Sequence, residues 1–205
     1  KIPQDSLPFI PTTMEIQIVT VEPEIPLAEI DIVKNKLRSY TDEINAGTRS
    51  FSTLALLYSE DGSAVKGGEL GFMNRAQLVP EFANVAFALS DPTKVSNVVE
   101  SENGFHIIQL IERRGDMANF RHILLRPKVP QEQIDTALVR LDSIRNGIIN
   151  KKITFDEAAT YLSADKDTRN NKGIMVNNRP NSRNGGTPRF ELSELNQDIA
   201  KVVGE

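Results

Sequence analysis

The 205 residues include no cysteine, no tryptophan and only two histidines, His106 and His122. Without cysteine, disulfides, thiolate nucleophiles and cysteine-ligated metals are excluded. A structural zinc site normally takes four Cys or His ligands, so no metal is expected. Basic charge is also scarce: 24 Lys and Arg stand against 28 Asp and Glu, a net charge of -4. A nucleic-acid binder usually carries a clustered basic footprint, and none is expected here. No apolar run approaches the roughly 20 residues that span a bilayer, so membrane insertion is not expected either. Gly67-Gly68 lacks the spacing of a phosphate loop, and no cofactor is implied. The remaining composition, 39% apolar and 25% charged, is that of a globular chain. The length suits one or two domains of roughly 100–150 residues each.

The chain repeats itself. Glu15-Ile16-Gln17-Ile18-Val19 aligns with Phe120-Arg121-His122-Ile123-Leu124, both reading as short strands. A proline-bearing turn and a helical pattern follow each. Ile30, Val33, Leu37, Tyr40 and Ile44 recur at helical spacing, as do Ile134, Leu138, Leu141 and Ile144. Gly47 and Gly147 fall where helix stops are expected. Phe51 to Ala55 parallels Phe155 to Ala159, and Tyr58-Ser59-Glu60-Asp61 parallels Leu162-Ser163-Ala164-Asp165. The offset stays at about 104 positions.

The copies then diverge. In the first, Gly67-Gly68-Glu69-Leu70-Gly71 leads into a strand, Pro80 opens a helix reaching Leu89, and Gly104 to Ile111 reads as a last strand. In the second, residues 166–189 form a polar stretch with six asparagines and a charge of +5, six Lys or Arg against one Asp. A solvated, mobile loop is expected there. No counterpart of the last strand follows residue 203. The expected organisation is therefore a linker over residues 1–13, a complete unit over 14–115 and an incomplete copy over 116–205. The chain reads as a piece of a longer protein.

These motifs in series resemble the parvulin family of peptidyl-prolyl cis-trans isomerases. The matching residues are Ser59-Glu60-Asp61, Gly67-Gly68-Glu69-Leu70-Gly71-Phe72, Arg75 to Phe82, Ala86-Phe87-Ala88-Leu89 and Gly104-Phe105-His106-Ile107-Ile108. Two such units in tandem are similar to the SurA-type periplasmic chaperones. The resemblance implies an α+β fold, a four-stranded antiparallel sheet flanked by helices, followed by a second, C-terminally incomplete copy. It implies a proline-binding groove in which Leu70, Leu78 and Phe82 form the apolar pocket, with Met73 beside it and Asn103 at the rim. Asp61 and His106 fall on catalytic positions. The family usually has a second histidine in the first strand, where this chain has Gln17, expected to face His106. The implied partners are unfolded, proline-containing polypeptides, outer-membrane proteins among them, and the implied compartment is the periplasm.

On residues alone, a single histidine on an apolar strand is more often structural than catalytic. Two functions therefore stand side by side: a prolyl isomerase acting through its first unit, or a peptide-binding chaperone module with little turnover. Gln17, which cannot carry a charge, weakens the first. The intact pocket and Asp61 favour it.

Overall fold

The computed structural model describes residues 11–204, so that residues 1–10 of the expected linker lie outside the described residues. The chain forms α-helices and antiparallel sheets and divides into two compact units. One is the continuous stretch Glu24–Pro130; the other combines the residues up to 23 with those from 131 onward.

In the unit Glu24–Pro130, helix α1 (Leu27–Asn45) buries Val33 and Leu37 from its apolar stripe. Gly47, with φ 69°, supplies the left-handed residue beyond its end. Helix α2 (Phe51–Tyr58) starts at Ser50, whose side chain accepts from Thr53 N. A 3-10 turn over Gly62–Lys66 leads into strand β2 (Glu69–Met73). The next turn, Arg75–Gln77, is closed by a capping box between Asn74 and Gln77. Helix α3 (Pro80–Ala86) opens on its proline and ends before Leu89, shorter than the sequence pattern suggests. Strands β3 (Val99–Ser101), β4 (Gly104–Arg114) and β5 (Met117–Leu125) complete an antiparallel sheet of order β2-β5-β4-β3.

Alternation along the two central strands sorts their side chains to opposite faces. Phe105, Ile107, Ile123 and Leu125 join Leu37, Phe51 and Leu54 in one core. Ile108, Leu110 and Phe120 join Phe82 and Ala86 in the other. His106 lies opposite Leu124, and Ile108 opposite His122. The two histidines are thus diagonal neighbours on the α3 face of the sheet.

Strand β5 carries the segment expected to open the second unit. Only Gly115 and Asp116 separate it from β4, with Arg114 opposite Met117. Gly115 has φ 57°, as a tight two-residue hairpin requires. A strand that follows so closely pairs with its predecessor, because two residues reach no other sheet.

The second unit contains helices α4 (Gln131–Ile149) and α5 (Phe155–Leu162). Its sheet pairs strand β1 (Met14–Glu15) with strand β6 (Arg189–Phe190), and a single bridge joins Gln17 to Ile174. Residues 14–19, expected in the first unit, therefore belong here. Helix α6 (Gln197–Val203) follows, and Ile16, Phe190 and Leu195 form the core. Gly147 is not a helix stop, since α4 continues to Ile149. The left-handed residue is Lys151, φ 56°, 104 positions after Gly47. The polar loop is organised around Asn177, which is fully buried. Its amide nitrogen lies 3.0–3.1 Å from Ser182 Oγ, Arg189 O and Glu194 Oε2, its two hydrogens shared among these acceptors, and its oxygen accepts from Arg179 N.

Candidate functional site

A cavity of about 220 Å3 opens on the α3 face of the four-stranded sheet. Its volume is below that of drug-sized ligand pockets, which start near 300 Å3, and suits a single residue. Leu70 and Met73 come from β2, Leu78 and Phe82 from the turn into α3 and from α3 itself, and Leu124 from β5. Asp61, Asn103, Gln77, His106, His122 and Arg126 supply the polar groups. Of the residues singled out from the sequence, Asp61, Leu70, Met73, Leu78, Phe82, Asn103 and His106 line this one cavity.

Gln17 does not. Its amide donates to Asp156 Oδ1 and to Lys172 O, both at 2.9 Å, in the second unit. The hydrogen bonds also correct the alignment by one residue. His122 N donates to Gly68 O, and Ile18 N to Gly173 O, each at 2.9 Å. Arg121 bonds Ser52 while Gln17 bonds Asp156, its counterpart 104 positions later. Ile18, not Gln17, therefore occupies the position of His122. A one-residue slip in a strand moves every side chain to the other face, which is why the sequence alignment misplaced it.

The ring that faces His106 is that of His122, at 3.2 Å between the two Nδ1 atoms. A continuous chain of hydrogen bonds runs through both rings. Asp61 Oδ2 lies 3.1 Å from His122 Nε2, and Ser63 Oγ also lies 3.1 Å from that nitrogen. At the other end, Ser101 Oγ lies 2.8 Å from His106 Nε2. An ionised carboxylate only accepts, so His122 Nε2 carries the proton and Nδ1 accepts. His106 Nδ1 must then donate, and its Nε2 accepts from the Ser101 hydroxyl. Asn103 N donates to the same hydroxyl at 3.2 Å, fixing its position.

Electrostatics support this arrangement. Burial opposes ionisation of Asp61, but bonds from the Ser63 hydroxyl and amide and from His122 outweigh it and hold the carboxyl at about 2. Burial and the neighbouring His122 lower His106 to about 4, against the attraction of Asp61. His122 is also lowered, by burial first, with Asp61 opposing. Both rings are neutral at pH 7. Phe82 presents its edge to each, at 5.4 Å from His106 and 5.5 Å from His122. Gly68 packs so tightly that a Cβ would lie 2.3 Å from His122 O.

Sequence reasoning places His122 in the second unit, as that copy's strand histidine, and misses Ser63 and Ser101. The two-residue gap at Gly115-Asp116 was the signal for His122. Neither serine carries a signature of its role in the sequence: Ser63 reaches His122 from the 3-10 turn after Asp61, and Ser101 reaches His106 from the neighbouring strand β3.

A larger cavity, about 780 Å3, lies in the second unit between Ile16, Ile18, Leu141, Ile144, Phe155 and Ile199. It holds no histidine. On its wall Leu141 is 38% exposed, whereas its counterpart Leu37 is fully covered. In the first unit, Phe105 and Ile107 of β4 share a core with Leu37.

Among the described residues no helix is long and apolar enough to cross a membrane, and no cluster of three or more His, Asp or Glu could hold a metal. The rotamase family, described as the PPIC-type PPIASE domain, matches residues 20–112 and 122–204. The chain is 33% identical to chaperone SurA of Albidiferax ferrireducens over 147 residues, 72% of this chain and 27% of that protein. It is 30% identical to chaperone SurA of Escherichia coli O6:H1 over 161 residues, 75% of this chain and 37% of that protein. A shorter match, 48% over 79 residues, joins it to chaperone SurA of Dechloromonas aromatica, covering 38% and 18% of the two chains. The matched region is thus well under half the length of each of these relatives.

Proposed function

Because the chain belongs to the PPIC-type peptidyl-prolyl isomerase family, we propose that its unit Glu24–Pro130 binds Xaa-Pro segments and accelerates their cis-trans isomerisation. The observation that carries this reading is the small apolar cavity whose floor is a neutral, hydrogen-bonded histidine pair. Rotation about a prolyl bond crosses roughly 18–20 kcal/mol and takes tens to hundreds of seconds unaided. No bond is made or broken, so stabilising the twisted amide relative to both planar forms is sufficient.

Leu70, Met73, Leu78 and Phe82 would hold the pyrrolidine ring, which has apolar area and no donor. A twisted amide has lost resonance and is less polar than a planar one, so a dry pocket favours it. Asp61, held ionised at the rim, would supply a local field against double-bond character. His106 and His122 would position Asp61 and the sheet rather than exchange protons, since every ring nitrogen already has its partner. Asn103 would meet the peptide at the rim. Gln17 has no part in this scheme.

The second unit lacks the same equipment. Ile18 stands at the His122 position, and Asp165, counterpart of Asp61, accepts from Thr168 instead. We assign no turnover to it. The relatives named chaperones support a wider role for the whole protein: holding unfolded, proline-containing polypeptides in the periplasm, outer-membrane proteins among them.

Exchange NMR on a panel of Xaa-Pro peptides tests the reading. Accelerated cis-trans exchange that Phe82→Ala abolishes is expected. Binding shifts without faster exchange would establish the holding function alone.

A further inference from the structure

The two units host their leading strands through the same bonds. In one, His122 N donates to Gly68 O, Leu124 N to Ser59 Oγ and Glu60 N to Leu124 O, at 2.9, 3.1 and 2.8 Å. In the other, Ile18 N donates to Gly173 O, Thr20 N to Ser163 Oγ and Ala164 N to Thr20 O, at 2.9, 3.1 and 2.9 Å. The connections onward match as well. Leu124 precedes the first residue of α4 by seven positions, and Thr20 precedes the first residue of α1 by seven. Neither the backbone bonds nor these loops distinguish the two strands. What does is the turn Gly115-Asp116, which ties β5 to the edge of β4 with Arg114 opposite Met117.

We propose that residues 14–20 and β5 are alternative occupants of one strand slot beside β4, and that the two-residue turn decides which of them completes the proline site. The activity part of this proposal rests on the isomerase reading above; the slot itself does not. With β5 in place, His122 links Asp61 to His106. With residues 14–20 in place, Ile18 would take its position. Its sec-butyl side chain donates nothing to Asp61 and accepts nothing from His106, so the hydrogen-bonded chain would be cut at its middle. The site of the first repeat thus depends on a residue of the second, and the shortness of the turn is what secures it. Lengthening that turn removes the constraint at small entropic cost, because loop closure changes slowly with length.

The chain has no cysteine, so engineered pairs report the pairing cleanly. Glu112 lies opposite Asn119 in the present sheet, and Glu15 is the residue 104 positions before Asn119. Directly opposed strand residues are within disulfide reach. Glu112→Cys with Asn119→Cys reports β5 in the slot; Glu112→Cys with Glu15→Cys reports the competing strand. Each pair is placed in the full chain, with the native turn and with about twelve Gly/Ser residues inserted between Gly115 and Asp116. The native turn is expected to give the first crosslink only, and the lengthened turn to give the second as well. Isomerisation should fall as the second crosslink gains, and Ile18→His in the lengthened chain should restore it. A lengthened chain that forms only the first crosslink, or neither, overturns the proposal. A shift in crosslinking with unchanged isomerisation upholds the slot exchange and removes the histidine pair from the catalytic account.

Discussion

His122 faces a carboxylate through one ring nitrogen and a second imidazole through the other. That position dictates its tautomer, and through it the tautomer of His106. Removing Ser101 Oγ should therefore disturb the far end of the chain. Ser101→Ala leaves His106 Nε2 without its donor, and a visible change in the His106 ring-nitrogen shifts is expected while the fold persists. Asp61→Ala should lower kcat/KM on a proline peptide about tenfold, equivalent to about 1.4 kcal/mol, with little change in peptide affinity. An unchanged kcat/KM would remove Asp61 from the scheme. Gly68 is a backbone requirement of the same site. Its φ of 84° and its approach to His122 O leave no room for a side chain. Gly68→Ala should cost about 2 kcal/mol or more in a urea titration, since strain and clash act together.

Among the elements, the hairpin β4–β5 determines which residues meet. The two helix patterns, the Gly67-Gly68 turn and the pocket positions on β2 and α3 were legible in the sequence, because periodicity, glycine and proline mark them locally. The pairing of strands was not. Repeats in series suggest that each copy keeps its own first strand, and only the gap between Arg114 and Met117 argues otherwise. Register was equally hidden: Gln17 and Ile18 differ by one position, and the choice between them rests on bonds to residues roughly 150 positions away. Gly147 misled for a related reason. The helix end is set by the left-handed residue, which in the second unit is Lys151. A left-handed conformation costs a non-glycine residue about 1–2 kcal/mol, so Lys151→Gly should stabilise the second unit by up to about 1 kcal/mol in thermal melts. Asn177→Ala should do the reverse, by about 1–3 kcal/mol, because it leaves Glu194 and Ser182 short of a buried donor.

For the whole molecule, stability should follow the histidines in mildly acidic solution. His106 has a native pKa of about 4, below its ordinary value near 6.5, so the unfolded chain binds protons first as pH falls. The contribution is complete above about pH 6.5 and is lost progressively down to about 4, at no more than about 1.4 kcal/mol per pH unit for one group. Asp61 adds a second loss at lower pH, from its ordinary value towards about 2. Urea titrations at pH 7 and pH 4.5 should show the first loss, and His106→Asn should flatten it. This dependence belongs to the unit Glu24–Pro130, because the chain's two histidines both reside there.

With only two histidines in the chain, the pairing of their rings is directly measurable. Long-range proton–nitrogen NMR resolves all four ring nitrogens of His106 and His122 at pH 7. Two neutral rings of opposite tautomer are expected, His106 protonated on Nδ1 and His122 on Nε2, with His106 resisting protonation down to about pH 4 and His122 also lowered from its ordinary value. Two rings that titrate independently near pH 6.5 would contradict the joining of residues from two repeats into one proline site, and a proton on His122 Nδ1 would overturn the tautomer assignment.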